Sequence, residues 1–258
     1  MSDAAVAAAR LAGRILKSRA SSRKKITYKG KVNLVTEVDR LSEAAIVGYL
    51  RKKFPDHSFL AEEGSGDTSL SEFAWIVDPL DGTTNYAHGY PAYSVSIGLY
   101  HEGEVRLGVV YNPNLDELFT SVRGRGARLN GKRIRVSTTR SLSRSLLATG
   151  FPYDIRESKN NNIAHFSNFA VRAQAVRRAG SAALDLCYVA CGRFDGFWEL
   201  KLRPWDVAAG SLMVTEAGGK VSDFRGSTAD IFGKEMLASN GRIHREMVET
   251  LRIGLRQR

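Results

Sequence analysis

Residues 75–86 read Trp-Ile-Val-Asp-Pro-Leu-Asp-Gly-Thr-Thr-Asn-Tyr, and this stretch decides both the fold and the site that the sequence predicts. The apolar residues before Asp78 predict a short strand that ends at that carboxylate. Pro79 stiffens the following turn, and Asp81 returns a second carboxylate to the same region. Carboxylates so close together repel unless one is protonated or a cation bridges them. Because hard cations prefer oxygen ligands, the pair predicts a site for Mg²⁺, Ca²⁺ or Mn²⁺.

The Gly-Thr-Thr sequence at residues 82–84 predicts the start of a helix whose free amides face an anion such as phosphate. An ordinary turn is the competing interpretation, since Asp-Pro and Asp-Gly both favour turns. This short stretch alone leaves the two interpretations evenly balanced.

Acidic or small residues recur at three further predicted junctions. Glu62 and Glu63 follow a predicted strand, and Asp206 precedes an apolar helix. Gly180 and Ser181 open another predicted helix. Each has an ordinary explanation, as a surface pair, an N-cap aspartate or an N-cap serine. Their repetition at strand and helix ends favours one shared polar pocket.

Composition is ordinary for a globular protein, with 258 residues, 43% of them hydrophobic and 25% charged. The net charge of +11 is compatible with nucleic acid, an acidic membrane surface or an anionic substrate as the partner, or simply with solvated basic faces. A second basic run covers residues 123–135, and the densest run contains Arg14, Lys17, Arg19, Arg23, Lys24, Lys25, Lys29 and Lys31.

The sequence contains no transmembrane pattern and no disulfide framework. It has no run of 18 apolar residues, so we expect no membrane association. Cys187 and Cys191 lie four residues apart in an apolar, predicted helix, where neighbours on one face rarely form a good disulfide. We therefore expect a reducing compartment and a cytoplasmic location.

Strands and helices are both predicted along the whole chain, which favours a mixed α/β (α+β) fold over a doubly wound nucleotide-binding fold. We expect a single domain over residues 1–258 with a soft subdivision near residue 140. Helices are predicted over residues 4–20, 36–54, 163–171, 181–190 and 207–217. Strands are predicted over residues 58–61, 73–77, 117–123, 133–137, 146–149, 174–177 and 194–200, and a hairpin over residues 93–111.

The motifs together resemble the inositol monophosphatase family, in order over nearly the whole chain. Residues 75–88 resemble its first signature and residues 205–219, which begin Trp-Asp-Val-Ala-Ala-Gly, its second. Further matching stretches are residues 34–39, 150–154, 178–183 and 197–200. The resemblance implies a layered αβαβα sandwich of the sugar-phosphatase type and a homodimer. It also implies two or three Mg²⁺ ions per active site and inhibition by Li⁺.

The resemblance also implies a role for individual residues. Asp39 and Thr83 would position and deprotonate the attacking water beside Glu62. The expected metal ligands are Glu62, Asp78, Asp81, Asp206 and the carbonyl oxygen of Leu80. The expected substrate-binding residues are Asp81, Gly82, Thr83, Gly180, Ser181, Ala182, Glu199 and Asp206, with the Gly82 and Thr83 amides on the phosphate.

These roles describe a phosphoric monoester hydrolase that uses metal-activated water. Phosphate monoesters hydrolyse extremely slowly without a catalyst, and bound Mg²⁺ both activates water and neutralises phosphate oxygens. Inositol 1-phosphate is the first expected substrate, because Glu199 precedes Asp206 at the spacing of a polyol-reading carboxylate in the family. Fructose 1,6-bisphosphate, histidinol phosphate, NADP and adenosine 3′,5′-bisphosphate are alternatives. A nucleic-acid or transcription-associated binding protein is the alternative of another class.

Overall fold

The computed structural model describes residues 1–20, 26–29, 33–67 and 69–254, with residues 26–29 and 33–36 described by their backbone. The helices within these ranges are α1 (Ser2–Arg19), α2 (Glu37–Lys53), α3 (Thr83–Ala87), α4 (Ile163–Ala170), α5 (Ala182–Ala190), α6 (Pro204–Glu216) and α7 (His244–Leu251). The strands are β1 (Ile26–Lys29), β2 (Asn33–Thr36), β3 (Ser58–Ala61), β4 (Phe73–Asp81), β5 (Ser94–His101), β6 (Glu104–Asn112), β7 (Glu117–Val122), β8 (Gly126–Leu129), β9 (Lys132–Arg133), β10 (Leu146–Thr149), β11 (Ala175–Arg177), β12 (Gly196–Leu200), β13 (Lys220–Ser222) and β14 (Glu235–Ser239).

Helical layers alternate with two large sheets. One sheet has the order β3-β4-β5-β6-β7-β8-β9, and the other has the order β11-β10-β12-β14-β13. Helices α1 and α2 cover the outer face of the first sheet. Helices α5 and α6 lie between the sheets, and α4 and α7 cover the outer face of the second. This arrangement confirms the predicted αβαβα sandwich.

Strand alternation explains why both faces of each sheet are apolar, because successive side chains on a strand point to opposite faces. On β4, Trp75 and Val77 pack with α1 and α2, whereas Ile76 packs against α6. On β12, Phe197 packs in the layer between the sheets and Trp198 packs in the outer core with α7. The near-continuous apolar runs in these strands are therefore required by burial on two sides.

The predicted strand over residues 133–137 is wrong, because β9 ends at Arg133. Ile134 and Val136 instead pack from a loop against the core between the sheets, so their alternation reflects burial without strand pairing. The sequence patterns also missed β1, β2, β8, β13, β14 and α7. Cys187 and Cys191 are free thiols, as expected.

Two further expectations concern the chain as a whole. The basic run between residues 14 and 31 falls partly outside the described residues, with Arg23, Lys24, Lys25 and Lys31 in that part. None of the helices in the described ranges combines the length and apolar character needed to cross a membrane. The single domain with a subdivision near residue 140 stays a prediction, which is supported by one core cluster that joins residues of both large sheets.

Replacing Gly108 by Ala should destabilise the protein, because a Cβ there would lie 2.7 Å from the Ala209 carbonyl oxygen of α6. Overpacking of this kind lowers the free energy of unfolding by about 1–3 kcal/mol. Gly48→Ala is the matched control, since the same Cβ on α2 would meet no atom within 4 Å. That control should raise the free energy of unfolding by up to about 1 kcal/mol. Urea denaturation of both variants checks the pair, and an equal stability of the two would contradict the close packing of β6 on α6.

Candidate active site

A cavity of about 470 Å³ gathers most of the predicted site residues from distant parts of the chain. Four predicted residues do not line the cavity but lie directly behind it: Asp39, Gly180, Ser181 and Ala182. Its lining includes Glu62, Asp78, Leu80, Asp81, Gly82, Thr83, Glu199 and Asp206.

A β-bulge brings Asp78 and Asp81 to the same face of strand β4. Asp78 pairs with Ser96 and Asp81 pairs with Ser94, so three steps along β4 match two steps along β5. Without the bulge, residues three apart would point to opposite faces of the sheet. The extra residue therefore places both carboxylates on the face that lines the cavity.

Backbone amides fix the orientation of both carboxylates. Asp78 Oδ1 accepts a hydrogen bond from the Leu80 amide at 2.9 Å. Asp81 Oδ2 accepts from the Ala183 amide at 2.8 Å and from the Ser181 hydroxyl at 2.5 Å. Ser181 is also the N-cap of α5, so it both caps that helix and contacts Asp81 in the site.

Asp206 reaches the cavity from the first turn of α6. Its Oδ2 accepts from the Arg203 amide at 2.6 Å, and Arg203 is the N-cap residue. The predicted alternative role of Asp206 as an N-cap is therefore wrong, because Pro204 starts the helix and moves Asp206 to the third helical position. Glu62 enters from the turn after β3, where its own amide donates to the Val77 carbonyl at 3.2 Å.

Asp39 and Thr83 form the predicted pair. The Thr83 hydroxyl donates to Asp39 Oδ1 at 2.8 Å, and it also lies 3.1 Å from the Leu80 carbonyl oxygen. Both side chains are buried. Thr83 starts the short helix α3, for which Gly82 is the N-cap with a φ of 96°, a left-handed conformation that favours glycine. The predicted helix start at Gly82 is confirmed.

Glu199, the residue expected to read the alcohol, lines the cavity. Its carboxylate occupies the space beside Gly150, where a Cβ would lie 2.1 Å from Glu199 Oε1. Gly180 packs against Gly82, since a Cβ on Gly82 would lie 3.2 Å from the Gly180 carbonyl oxygen. The two glycines thus let the α5 junction approach the Asp81 turn closely.

Burial gives the carboxyl groups raised pKa values. The pKa of Asp78 lies well above its usual range because of burial first and the nearby charges of Glu62, Asp81 and Asp206 next. Burial also raises the pKa of Asp81 to about 6, against opposing hydrogen bonds from Ser181 and Ala183. It raises the pKa of Glu199 and of Asp206 to about 8. The charged forms of these carboxyl groups are therefore disfavoured without a bound cation, which would offset the cost of burying them.

The donor set fits magnesium. Among the described residues, no three His, Cys, Asp or Glu side chains converge closely enough to hold one ion by themselves. Mg²⁺ is usually held by only one or two carboxylates together with waters and substrate phosphate oxygens. Carboxylates spread around a cavity suit that mode of binding better than an all-protein cage.

Sequence patterns missed several residues that support the site. Glu43 is fully buried and accepts hydrogen bonds from the turn that carries Glu62. Asp154 and Lys201 form an ion pair of 2.6 Å in the cavity wall. Asp154 lies in the family-like stretch 150–154, and the spacing of Glu43 from Asp39, one helical turn, was the local signal for Glu43.

Known proteins share both the sequence and the fold. The profile of the inositol monophosphatase family matches residues 1–255. The chain belongs to the inositol monophosphatase family. Its membership makes the protein a phosphatase.

Individual family members cover most of the chain. It is 49% identical over 229 residues to inositol-1-monophosphatase of Synechocystis sp., spanning 88% of this chain and 79% of that protein. It is 42% identical over 255 residues to Nus factor SuhB of Escherichia coli K12, spanning 98% and 96%. The solved inositol monophosphatase of Anabaena (Nostoc) sp. PCC 7120 superposes with a TM-score of 0.89 at 45% identity, covering 97% of this chain and 94% of that one.

The metal-free protein should lose stability as the pH rises from about 4 to about 8. The pKa of Glu199 and of Asp206 is about 8 in the folded protein, above the value near 4 of an unfolded carboxyl group. The folded protein thus binds protons more tightly, and the free energy of unfolding falls across this window. Melting curves in a chelator check this slope, which Glu199→Gln should reduce. The control Glu249→Gln, at an exposed glutamate paired with Arg245, should keep it, and a flat profile in the wild type would contradict the raised pKa values.

Proposed function

We propose that the protein hydrolyses a phosphate monoester in a Mg²⁺-dependent reaction, with inositol 1-phosphate as the first substrate. One observation carries the proposal: Asp78 and Asp81 share one face of β4 and meet Asp206 and Glu62 around a single cavity. Asp78 and Asp81 are buried and Glu62 and Asp206 are half-buried around the same cavity, so a divalent cation is the ligand that offsets the cost of their negative charges. The metal dependence of the family supports the same assignment.

Mg²⁺ would be held by the carboxylates of Glu62, Asp78, Asp81 and Asp206, and by the Leu80 carbonyl oxygen. When bound, the metal supplies positive charge that neutralises the phosphate and acidifies the attacking water. Two or three ions are proposed, since the carboxylates are spread around the cavity and Mg²⁺ leaves positions for waters and phosphate oxygens.

The Asp39–Thr83 pair would position the attacking water and receive its proton. The Thr83 hydroxyl donates a hydrogen bond to Asp39 Oδ1, so Thr83 Oγ1 can accept a hydrogen bond from the attacking water. Proton transfer from water to Thr83 Oγ1 would accompany transfer of the hydroxyl proton to Asp39. The carboxylate of Glu62 is the second proposed acceptor for this water.

The remaining residues would bind the two halves of the substrate. The amides of Gly82 and Thr83 begin α3 and would donate to phosphate oxygens. Glu199 would read hydroxyl groups of the alcohol, beside the Gly180, Ser181 and Ala182 junction at the start of α5. A polyol offers several such hydroxyls, which favours inositol 1-phosphate over simple alkyl phosphates.

A substrate panel tests the choice of alcohol. With Mg²⁺ present, kcat/KM for inositol 1-phosphate should reach at least about 10⁴ M⁻¹s⁻¹ and exceed the values for fructose 1,6-bisphosphate, histidinol phosphate, NADP and adenosine 3′,5′-bisphosphate. A higher kcat/KM for any of these would replace inositol 1-phosphate as the first substrate. No phosphate release from any compound at any Mg²⁺ concentration would overturn the proposed reaction.

Asp78→Asn should remove nearly all activity while leaving the fold intact. A metal contributes several kcal/mol of charge stabilisation in the transition state, so kcat should fall about a thousandfold. Asp56→Asn is the matched control, because Asp56 is an exposed aspartate in the turn before β3. Phosphate release and circular dichroism check both variants. Activity of Asp78→Asn at the wild-type level, with full Mg²⁺ dependence, would refute the metal assignment.

A second candidate function is binding of nucleic acid or transcription machinery. The +11 net charge favours it, and several relatives are named Nus factor SuhB. A salt-dependent binding assay separates the two functions, because phosphate contacts weaken steeply with salt. If Asp81→Asn abolished turnover but kept nucleic-acid binding, both functions would coexist. The homodimer, the inhibition by Li⁺ and the cytoplasmic location stay predictions.

A further inference from the structure

The turn that carries Glu62 is tied to helix α2 by a buried carboxylate outside the proposed ligand set. We propose that Glu43 is a positioning residue that holds Glu62 in place for metal binding. The inference rests on the proposed function, since it takes Glu62 as a metal ligand. Glu43 itself contacts neither metal nor substrate in this proposal.

Glu43 is fully buried, and both of its carboxylate oxygens accept hydrogen bonds from the turn after β3. Oε2 accepts from the Glu63 amide at 2.6 Å, and Oε1 accepts from the Ser65 amide at 2.8 Å. Hydrogen bonds to an ionised acceptor are short and about twice as strong as neutral ones. Because a buried carboxylate is costly without partners, Glu43 and the turn hold each other in one geometry.

Hydrogen bonds of two successive amides fix the backbone on either side of Glu62. On its N-terminal side, the Glu62 amide donates to Val77, the residue before Asp78. On its C-terminal side, the Glu63 amide donates to Glu43. The backbone of Glu62 therefore lies between two fixed amides, one set by β4 and the other set by α2.

The same face of α2 also contacts the turn between Asp78 and Thr83. Asp39 and Ser42 precede Glu43 by four residues and one residue, so all three lie near one helix face. Asp39 accepts from Thr83, and the Ser42 hydroxyl donates to the Pro79 carbonyl at 2.9 Å. Helix α2 thus fixes the Glu62 turn relative to the turn between Asp78 and Thr83, and Glu43 supplies the half of this connection that reaches Glu62.

The far end of the same turn provides a matched control. Arg51, two helical turns further along α2, pairs with Asp67 at 3.0 Å, and the two side chains are 47% and 40% exposed. Exposed ion pairs contribute little to stability or to positioning. Removing this ion pair breaks a contact between α2 and the segment after β3 but keeps the hydrogen bond from the Glu63 amide to Glu43.

Titration calorimetry with Mn²⁺ tests the proposal without depending on turnover. Loss of a residue that orients a metal ligand weakens affinity by about 10- to 100-fold. Glu43→Gln keeps the size of the side chain but replaces one acceptor oxygen with a donor, so the Kd for Mn²⁺ should rise at least about tenfold. Arg51→Ala should keep the Kd within about twofold of the wild type. An unchanged Kd in a folded Glu43→Gln protein overturns the proposal.

The double variant separates positioning from a general effect of charge or stability. If Glu43 acts through Glu62, then Glu43→Gln should add no further loss of Mn²⁺ affinity in a Glu62→Gln background. Additive losses would overturn the positioning role. Glu62→Gln alone tests the proposed function, because an unchanged Kd there would remove Glu62 from the ligand set and overturn both statements. If the Kd for Mn²⁺ rises in Glu62→Gln but is unchanged in Glu43→Gln, only the inference is overturned.

Amide hydrogen exchange of the wild-type protein covers the case in which Glu43→Gln does not fold. The proposal expects the Glu63 and Ser65 amides to exchange more slowly when Mg²⁺ is added, since metal binding at Glu62 stabilises the bracketed turn. The Ala20 amide, which donates to Lys17 at the end of α1, is an internal control that should exchange at the same rate with and without Mg²⁺. Exchange at Glu63 and Ser65 that is unaffected by Mg²⁺ overturns the proposal.

Discussion

The cost of placing several carboxylates in one poorly solvated cavity is the constraint on which this site depends. Asp78, Asp81 and Asp206 all line one cavity, and burial raises the pKa of each. The surrounding chain offsets part of the cost with amide donors from Leu80, Ala183 and Arg203. Such donors orient a carboxylate but do not neutralise it. A site of this kind is therefore suited to a cation and, through the cation, to a phosphate.

The layered fold explains how the carboxylates reach one place. Strand β4 lies inside the first sheet, and α6 packs against that sheet from the layer between the two sheets. The end of β4 places Asp78 and Asp81 in the cavity, and the first turn of α6 places Asp206 in the same cavity. Close approach of these layers needs small residues, as at Gly108 against Ala209. Packing in the core thereby sets distances in the site.

The residues proposed for the alcohol half of the substrate lie in a different part of the chain from those proposed for the phosphate half. Apart from Asp206 in α6, the proposed phosphate and metal contacts come from the end of β4 and the turns beside it, whereas Glu199 comes from β12 in the second sheet. Asp154 and Lys201 add a charged pair to the wall on the same side. The relatives of this chain include an inositol-1-monophosphatase and proteins named Nus factor SuhB, so membership of the family alone does not fix the substrate.

The sequence by itself determined the family, the layered fold and the identity of the acidic residues, because these depend on local patterns and on motifs of fixed spacing. Strands β13 and β14 and helix α7 were among the elements that were missed, because they pair or pack with segments far away in the chain. Only the tertiary structure decided that a bulge puts Asp78 and Asp81 on one face, and that Glu43 reaches the Glu62 turn. The reason is physical: register and helix placement are set by contacts between residues far apart in the chain, which no local pattern contains.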